Sequence, residues 1–225
     1  TMHTLGEVYE RTDPRTPISS LPYTINGPGS YYVTGNLSST EDGIIIQSSG
    51  VTVDLMGFSL TGDREAGDYG IHVDGSQDAV IENLAIKGGR ISGFYRGLYF
   101  EYMNNSRIKE LVVSGNSSFG VYLYGYGNSG QCNGNTIADC TISGNGYGVS
   151  LYGDHGQCNG NTFTDCTISG NEDDAIVLSG YHGQCNGNTI RGNMISRNAG
   201  NKGIYLSYAD GNRIEGNNVW GTTGT

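Results

Sequence analysis

Apolar residues along most of this chain alternate with polar ones in short runs, as in Leu98 and Phe100 or Val149 and Leu151. A period of two is the mark of strands whose successive side chains face opposite sides. Each such run starts just after a glycine: Gly43 (GIIIQ), Gly70 (GIHVD), Gly97 (GLYFE), Gly120 (GVYLY), Gly148 (GVSLY) and Gly203 (GIYLS), with Ala175 (AIVLS) in that place once. The markers are spaced by 27, 27, 23, 28, 27 and 28 residues. That is too even for chance and too short for a helix pair with linkers, so each unit reads as one coil of a solenoid.

A second strand in each coil follows the pattern apolar-x-x-(Leu/Cys/Asn/Met)-x-apolar. Its inward columns are expected to be Val53, Met56 and Phe58; Ile81, Leu84 and Ile86; Ile108, Leu111 and Val113; Ile137, Cys140 and Ile142; Phe163, Cys166 and Ile168; Ile190, Asn193 and Ile195; and Ile214, Asn217 and Val219. Over residues 130–145, 156–171 and 183–198 the repeat is almost literal: GQCNGNTIADCTISGN, GQCNGNTFTDCTISGN and GQCNGNTIRGNMISRN. Glycine-rich coils of strands without helical stretches stack as a parallel β-helix, each coil about 4.8 Å above the last.

The motif N-x-I-x-x-(N/C)-x-I-S-G-N followed by G-(I/V)-x-L resembles the right-handed parallel β-helix repeat of the pectate-lyase-like superfamily. It is similar to the repeats of periplasmic copper-reductase accessory proteins and of carbohydrate-binding and sugar-hydrolase β-helix domains. The resemblance covers roughly residues 40 to 220 and implies an all-β, single-stranded, right-handed β-helix of about seven to eight coils. One scaffold of this kind hosts lyases, hydrolases, epimerases, adhesins and tailspikes, so the resemblance implies fold more than activity. An extracellular or periplasmic location goes with it.

Composition fits this reading, with 38 glycines for repeated turns and only 4 prolines in 225 residues. All four prolines, Pro14, Pro17, Pro22 and Pro28, fall before residue 40. We therefore expect residues 1–40 to cap the first coil with irregular strands and residues 41–225 to form one continuous β-helix, since an open solenoid end exposes sheet edges and core. At the other end VWGTTGT offers little cap, so Trp220 plugs the end or the end self-associates. No stretch approaches the roughly 20 apolar residues of a membrane span, and the first residues hold no apolar signal core.

A net charge of −10 argues against nucleic acid, because phosphates need clustered Lys and Arg. It also disfavours a polyanionic polysaccharide unless a cation such as Ca²⁺ bridges the two through oxygen ligands. The five cysteines recur at coil spacing without any CxxC: Cys132, Cys158 and Cys185 share the register of Met103 and Ala209, and Cys140 and Cys166 that of Leu111 and Leu84. Standing where Leu and Met stand, they are expected to pack in the lumen as small apolar groups. Asn135, Asn161 and Asn188, and likewise Asn145, Asn171 and Asn198, are expected to form amide ladders.

Inward positions are committed to packing, so chemistry is sought on the outward ones. The first outward column is Ile45, His72, Tyr99, Tyr122, Ser150, Val177 and Tyr205; the second is Gln47, Asp74, Glu101, Tyr124, Tyr152, Ser179 and Ser207. Asp74 and Glu101 become neighbours about 5 Å apart, with His72 and Tyr99 beside them. Two close carboxylates raise one another's proton affinity, as a general acid needs, and the same pair suits retaining glycoside cleavage or a Ca²⁺ ion. Asp74, Glu101, His72 and Tyr99 are thus the catalytic candidates, with Tyr122, Tyr124, Tyr152 and Tyr205 offering rings to a sugar chain. If this is an enzyme, it is a polysaccharide lyase, epimerase or glycoside hydrolase. A lyase or epimerase wants a cation for the substrate carboxylate, and neither Arg96 nor Lys87, the nearest by coil, belongs to the stripe.

Three further patterns compete. Asp173 and Asp174 in NEDDAIVLSG resemble the paired-aspartate segment of the polygalacturonase family, but that family's glycine-histidine-glycine segment is missing, and Asp174 falls on a turn where Lys202 follows one coil later. The turns YGDHGQC and SGYHGQC place His155 and His182 one coil apart with Asp154 beside them, a ligand set for Zn²⁺ or Cu²⁺. The bland alternative is a non-catalytic surface or tailspike-like assembly module, whose outward Tyr, Asp and Glu serve solubility and strand propensity.

Overall fold

The computed structural model describes residues 13–128 and 130–221; residues 1–12 of the expected N-terminal cap lie outside this range. The fold is all-β, with parallel strands stacked into a β-helix. One sheet has eight strands in the order Tyr23–Ile25, Ile44–Ile46, Tyr69–Asp74, Arg96–Glu101, Phe119–Tyr126, Tyr147–Asp154, Ile176–Ser179 and Ile204–Ser207. A second, of fifteen strands, wraps the rest of each coil. Among the described residues no helix is long and apolar enough to cross a membrane.

The interior is a column of aliphatic and aromatic side chains. Phe94, Phe100 and Phe163 are its largest members, and five free cysteines line it. Cys132, Cys158 and Cys185 lie in one stack above Met103, all fully buried. Burial raises the Cys185 thiol to about 12, so this group acts as a neutral packing atom.

The apolar-x-x-inward spacing has a backbone cause. Gly88, Glu110, Asp139, Asp165, Gly192 and Gly216 all have positive φ, between 54° and 70°. This corner breaks the two-residue alternation and turns the next residue inward, which is Leu111, Cys140 or Cys166 in the middle coils.

Two expected columns need correction. In the first coil Leu55 is buried and Met56, at φ 54°, is 44% exposed, with Phe58 half-buried. In the next coil the stack partners of Ile108, Leu111 and Val113 are Ile86, Gly89 and Ile91, so Leu84 is not in the cysteine column. A β-carbon at Gly89 would run into Leu55, which fills that space from below. Ile81 and Leu84 have the same spacing, but Ile81 stacks on Met103 instead.

The asparagine ladders run the length of the regular coils. In each, Asn Oδ1 accepts both the backbone N–H and the side-chain amide of the coil before: from Asn135 to Asn161 at 2.9 and 3.1 Å, and from Asn145 to Asn171 at 3.0 and 3.1 Å. The first ladder ends at Asn212 and the second starts at Asn116. Asn193 and Asn217 extend the pattern to the cysteine column.

At the lower end, Thr16–Ile18 pairs in parallel with Gly29–Val33, and Ile18, Ile25 and Val33 are buried beneath the first coil. At the upper end Ile214, Val219 and Trp220 are all more than 40% exposed. Trp220 stands outward on the strand Asn218–Trp220 rather than plugging the lumen.

Candidate functional site

The marker glycines position the site strands by close approach. A β-carbon at Gly120 would lie 2.7 Å from the Gly148 carbonyl oxygen and 2.8 Å from the Asn145 amide. Real β-carbons essentially never come so close, which keeps the outward columns in tight register. Ala175 is tolerated where Gly stands elsewhere, and its N–H reaches the Lys202 carbonyl only at 3.4 Å.

Strand pairing runs Ile45, His72, Tyr99, Tyr122, Ser150, Val177, Tyr205 along one column and Asp74, Glu101, Tyr124, Tyr152, Ser179, Ser207 along the next. The rings of the first column stack: His72 on Tyr99 at 5.1 Å, and Tyr99 on Tyr122 at 5.7 Å. This stacking covers them, leaving Tyr99 6% and Tyr122 9% exposed. The second column stays half-exposed, with Tyr124 stacked on Tyr152 at 5.9 Å. Tyr205 is half-exposed under the Lys202 ammonium, 3.5 Å from its ring centroid.

Glu101 is the hub of the polar end. Its carboxylate accepts the Tyr99 hydroxyl at 2.6 Å and lies 3.5 Å from His72 Nε2. His72 Nδ1 faces Asp42 at 3.8 Å, and Asp74 accepts the Gln47 amide at 2.7 Å. Burial would push the Glu101 carboxyl up, but the hydrogen bonds from His72 and Tyr99 outweigh it and hold it below the usual range. The expected mutual raising of two carboxylates is therefore not what Glu101 experiences: it is ionised at neutral pH, because its nearest partners are donors. Burial would lower His72, yet its bonds to Asp42 and Glu101, with Asp74 nearby, raise it to about 9. Burial and the Glu101 bond drive Tyr99 upward, so it keeps its proton.

Because His72 takes up its proton more tightly folded than unfolded, its contribution is complete below its unfolded value near 6.5 and fades as pH rises through about 9. We expect the stability gap between wild type and His72→Gln in urea unfolding to shrink by up to about 3 kcal/mol between pH 6 and pH 9.5. A gap that does not change with pH would show that His72 is neutral throughout.

Two neighbours escaped the sequence reading. Arg96 belongs to the stripe after all: its guanidinium carbon lies 4.4 Å from the Tyr99 ring centroid and 4.7 Å from that of Tyr122, and its buried Nε has no hydrogen-bond partner among the described residues. It is the first residue of the strand Arg96–Glu101, and its long stem carries the charge over the rings. Tyr126, 53% exposed, adds a third ring at 5.5 Å from Tyr124, because the strand Phe119–Tyr126 runs two residues beyond Glu101's level.

The other candidates separate. Asp174 Oδ1 accepts the Lys202 backbone N–H at 2.8 Å, as Asp42 accepts that of Tyr69 at 2.7 Å. It holds a turn through the main chain, while the Lys202 ammonium lies over Tyr205. Asp154, His155 and His182 do meet: their ligand atoms all lie within 4.8 Å of one another, as do those of His72, Asp74 and Glu101. The loop Thr61 to Tyr69 packs on the next turn, where Asp68 accepts the Tyr95 N–H at 3.0 Å.

Residues 35–224 match the family described as periplasmic copper-binding protein (NosD). Among solved structures the fold is similar to ORF18 of Geobacillus virus E2, with a TM-score of 0.59 and 13% identity over 85% of this chain and 44% of that one. It is also similar to the enzymatically active domain of bacteriophage CBA120 tailspike protein 2, with a TM-score of 0.52 and 15% identity over 89% of this chain and 38% of that one. The chain thus spans less than half of either protein, and at these identities the likeness is one of fold. No curated protein matches.

Proposed function

We propose a function from one premise: the chain belongs to the NosD family, which is described as periplasmic and copper-binding, in keeping with the extracellular or periplasmic location that the repeat implied. On that scaffold we read the outward stripe as a glycan-binding face. The observation that carries the reading is the platform of half-exposed rings formed by Tyr124, Tyr152 and Tyr126, continuous with the carboxylates of Glu101 and Asp74. Flat apolar faces beside polar acceptors suit a sugar, whose rings carry C–H faces and hydroxyl edges. Tyr122, in the neighbouring column, stacks on Tyr124 at 5.4 Å, and Tyr205 offers a further ring two coils beyond Tyr152.

In this reading Glu101, held ionised, and Asp74 accept sugar hydroxyls, His72 with its raised proton affinity orients Glu101, and Tyr99 donates to Glu101. The role follows from protonation: a carboxylate kept below its usual range is an acceptor, not a general acid. The net charge of −10 favours neutral glycans, or uronates bridged by Ca²⁺ between carboxylates.

The test is a panel of neutral and uronate polysaccharides, each with Ca²⁺ or with chelator, read for both binding and depolymerisation, with wild type beside Glu101→Gln. Binding of at least one glycan, weakened in Glu101→Gln, is the expected result. A panel without binding, or binding indifferent to this change, would contradict the reading and leave a non-catalytic assembly module in its place.

A further inference from the structure

We propose that Cys140 and Cys166 form a redox modification site, closing to a disulfide between two adjacent coils when the chain meets a disulfide oxidant. The pair lies in the lumen, apart from the glycan stripe. An extracellular or periplasmic protein works under oxidising conditions, where thiols within reach of one another pair. This chain carries five thiols, all of them buried.

Stacking selects the pair. Thr141 and Thr167 are in register, and the Thr167 N–H donates to the Cys140 carbonyl at 2.9 Å, so Cys140 and Cys166 occupy one inward column in successive coils. Neighbouring strands lie about 4.8 Å apart, inside the roughly 4.4–6.8 Å between Cα atoms that a disulfide needs. The side chains already meet. The Cys140 thiol donates to the Cys166 sulfur, and Cys166 Sγ lies 3.8 Å from the Ile137 carbonyl oxygen of the coil below.

The column leaves no choice of partner. Leu111 precedes Cys140 in it, and Asn193, whose Oδ1 accepts the Cys166 N–H at 3.0 Å, follows Cys166. In the other stack Cys158 stands between Cys132 and Cys185 and has a thiol on either side. The Cys140 and Cys166 corner is also close to the surface: Asp139 and Asp165, one residue earlier, are exposed, with φ of 54° and 55°. Local opening of that corner uncovers the sulfurs without unstacking the coils.

The bond from Cys140 holds the Cys166 thiol below its ordinary value, and the same bond, followed by burial, drives the Cys140 thiol up. Cys166 is therefore the attacking sulfur. As thiolate it attacks one sulfur of the oxidant, a small-molecule or protein disulfide, forming a mixed disulfide and expelling one thiolate. Cys140 then loses its proton, attacks the Cys166 sulfur and expels the second thiolate. Two electrons and two protons pass to the oxidant, which leaves as two thiols. The closed bridge ties residues 140–166 into one covalent loop, a full coil that includes the strand Tyr147–Asp154 and the platform ring of Tyr152.

The experiment refolds the full chain from urea in a buffer of oxidised and reduced glutathione, traps the remaining thiols by alkylation, and maps cross-linked peptides by mass spectrometry before reduction. Thermal midpoints of the oxidised and reduced protein are measured beside those of Cys140→Ala and Cys166→Ala. We expect a peptide linking Cys140 to Cys166 as the main bridge. The oxidised wild type is expected to melt roughly 5–10 °C above the reduced form, as a closed loop of this length implies, and neither variant is expected to show that difference.

Five alkylated thiols, a main bridge between any other cysteines, a wild-type midpoint indifferent to reduction, or a difference that persists in both variants overturns the proposal. The peptide map decides on the wild type alone, so a variant that fails to fold leaves the test intact.

Discussion

Asn161→Ala is expected to lower stability by about 3–5 kcal/mol, enough to abolish folding if the domain is ordinarily stable. Asn161 is fully buried. Its Oδ1 accepts the Asn135 backbone N–H at 2.9 Å and the Asn135 amide at 3.1 Å, and its Nδ2 donates to the Cys132 carbonyl at 2.8 Å. Alanine leaves the Asn135 N–H and the Cys132 carbonyl without partners and reduces the Asn135 amide to its bond with the Met103 carbonyl at 2.8 Å, and each orphaned buried group costs roughly 1–3 kcal/mol. Asn212→Ala at the ladder's half-buried end provides the graded control. Fewer coils cover it, so water reaches the groups it leaves more readily, and its loss is expected to be the smaller by about 2 kcal/mol or more in urea unfolding. Equal losses at the two positions would show that the ladder is not what holds adjacent coils together.

The double variant Tyr124→Ala with Tyr152→Ala is expected to weaken glycan binding by about 100-fold, with each single variant near tenfold. Each ring contributes roughly 0.5–1.5 kcal/mol through stacking geometry beyond the area it covers, and buried Tyr anchors carry a large share of interface energy. Both rings are half-exposed on the second outward column, so their removal does not open the core. Tyr122→Ala makes the instructive comparison. With 9% exposure, stacked on Tyr99 and Phe119, it is expected to cost stability rather than a contact with ligand. Affinity unchanged in the double variant, measured by calorimetry on folded protein, would remove the platform from the account.

The solenoid was legible because its signal is redundant. The Gly120 and Gly148 markers, the asparagines and the outward columns all obey one period, and the observed pairing of His72 with Tyr99 and of Glu101 with Tyr124 follows that period strand by strand. Where the period is carried by a single weak residue, reading it fails. Gly89 has no side chain to mark its column, so Ile81 and Leu84, with identical spacing, stood in for Ile86 and Gly89. Met56 took the place that Leu55 fills, because nothing in the sequence marks a left-handed φ at methionine.

The site was legible in position and not in charge. That Glu101 neighbours Asp74 follows from coil stacking alone. That Glu101 is held ionised depends on the Tyr99 hydroxyl and the His72 ring turning toward it, which spacing does not convey. Arg96 was placed outside the stripe, because its backbone stands at the start of the strand Arg96–Glu101 and not in either outward column. Its side chain reaches over Tyr99 and Tyr122 because a long stem can cross a strand that a column diagram treats as separate.

The most direct measurement is a crystal structure of the protein soaked with the glycan that the panel selects. The account predicts sugar rings laid across Tyr124 and Tyr152, with hydroxyls on Glu101 or Asp74. A sugar seated elsewhere, for example against the exposed rings of Tyr181 and Tyr208, which lie 6.2 Å apart, with the stripe bare, would contradict it.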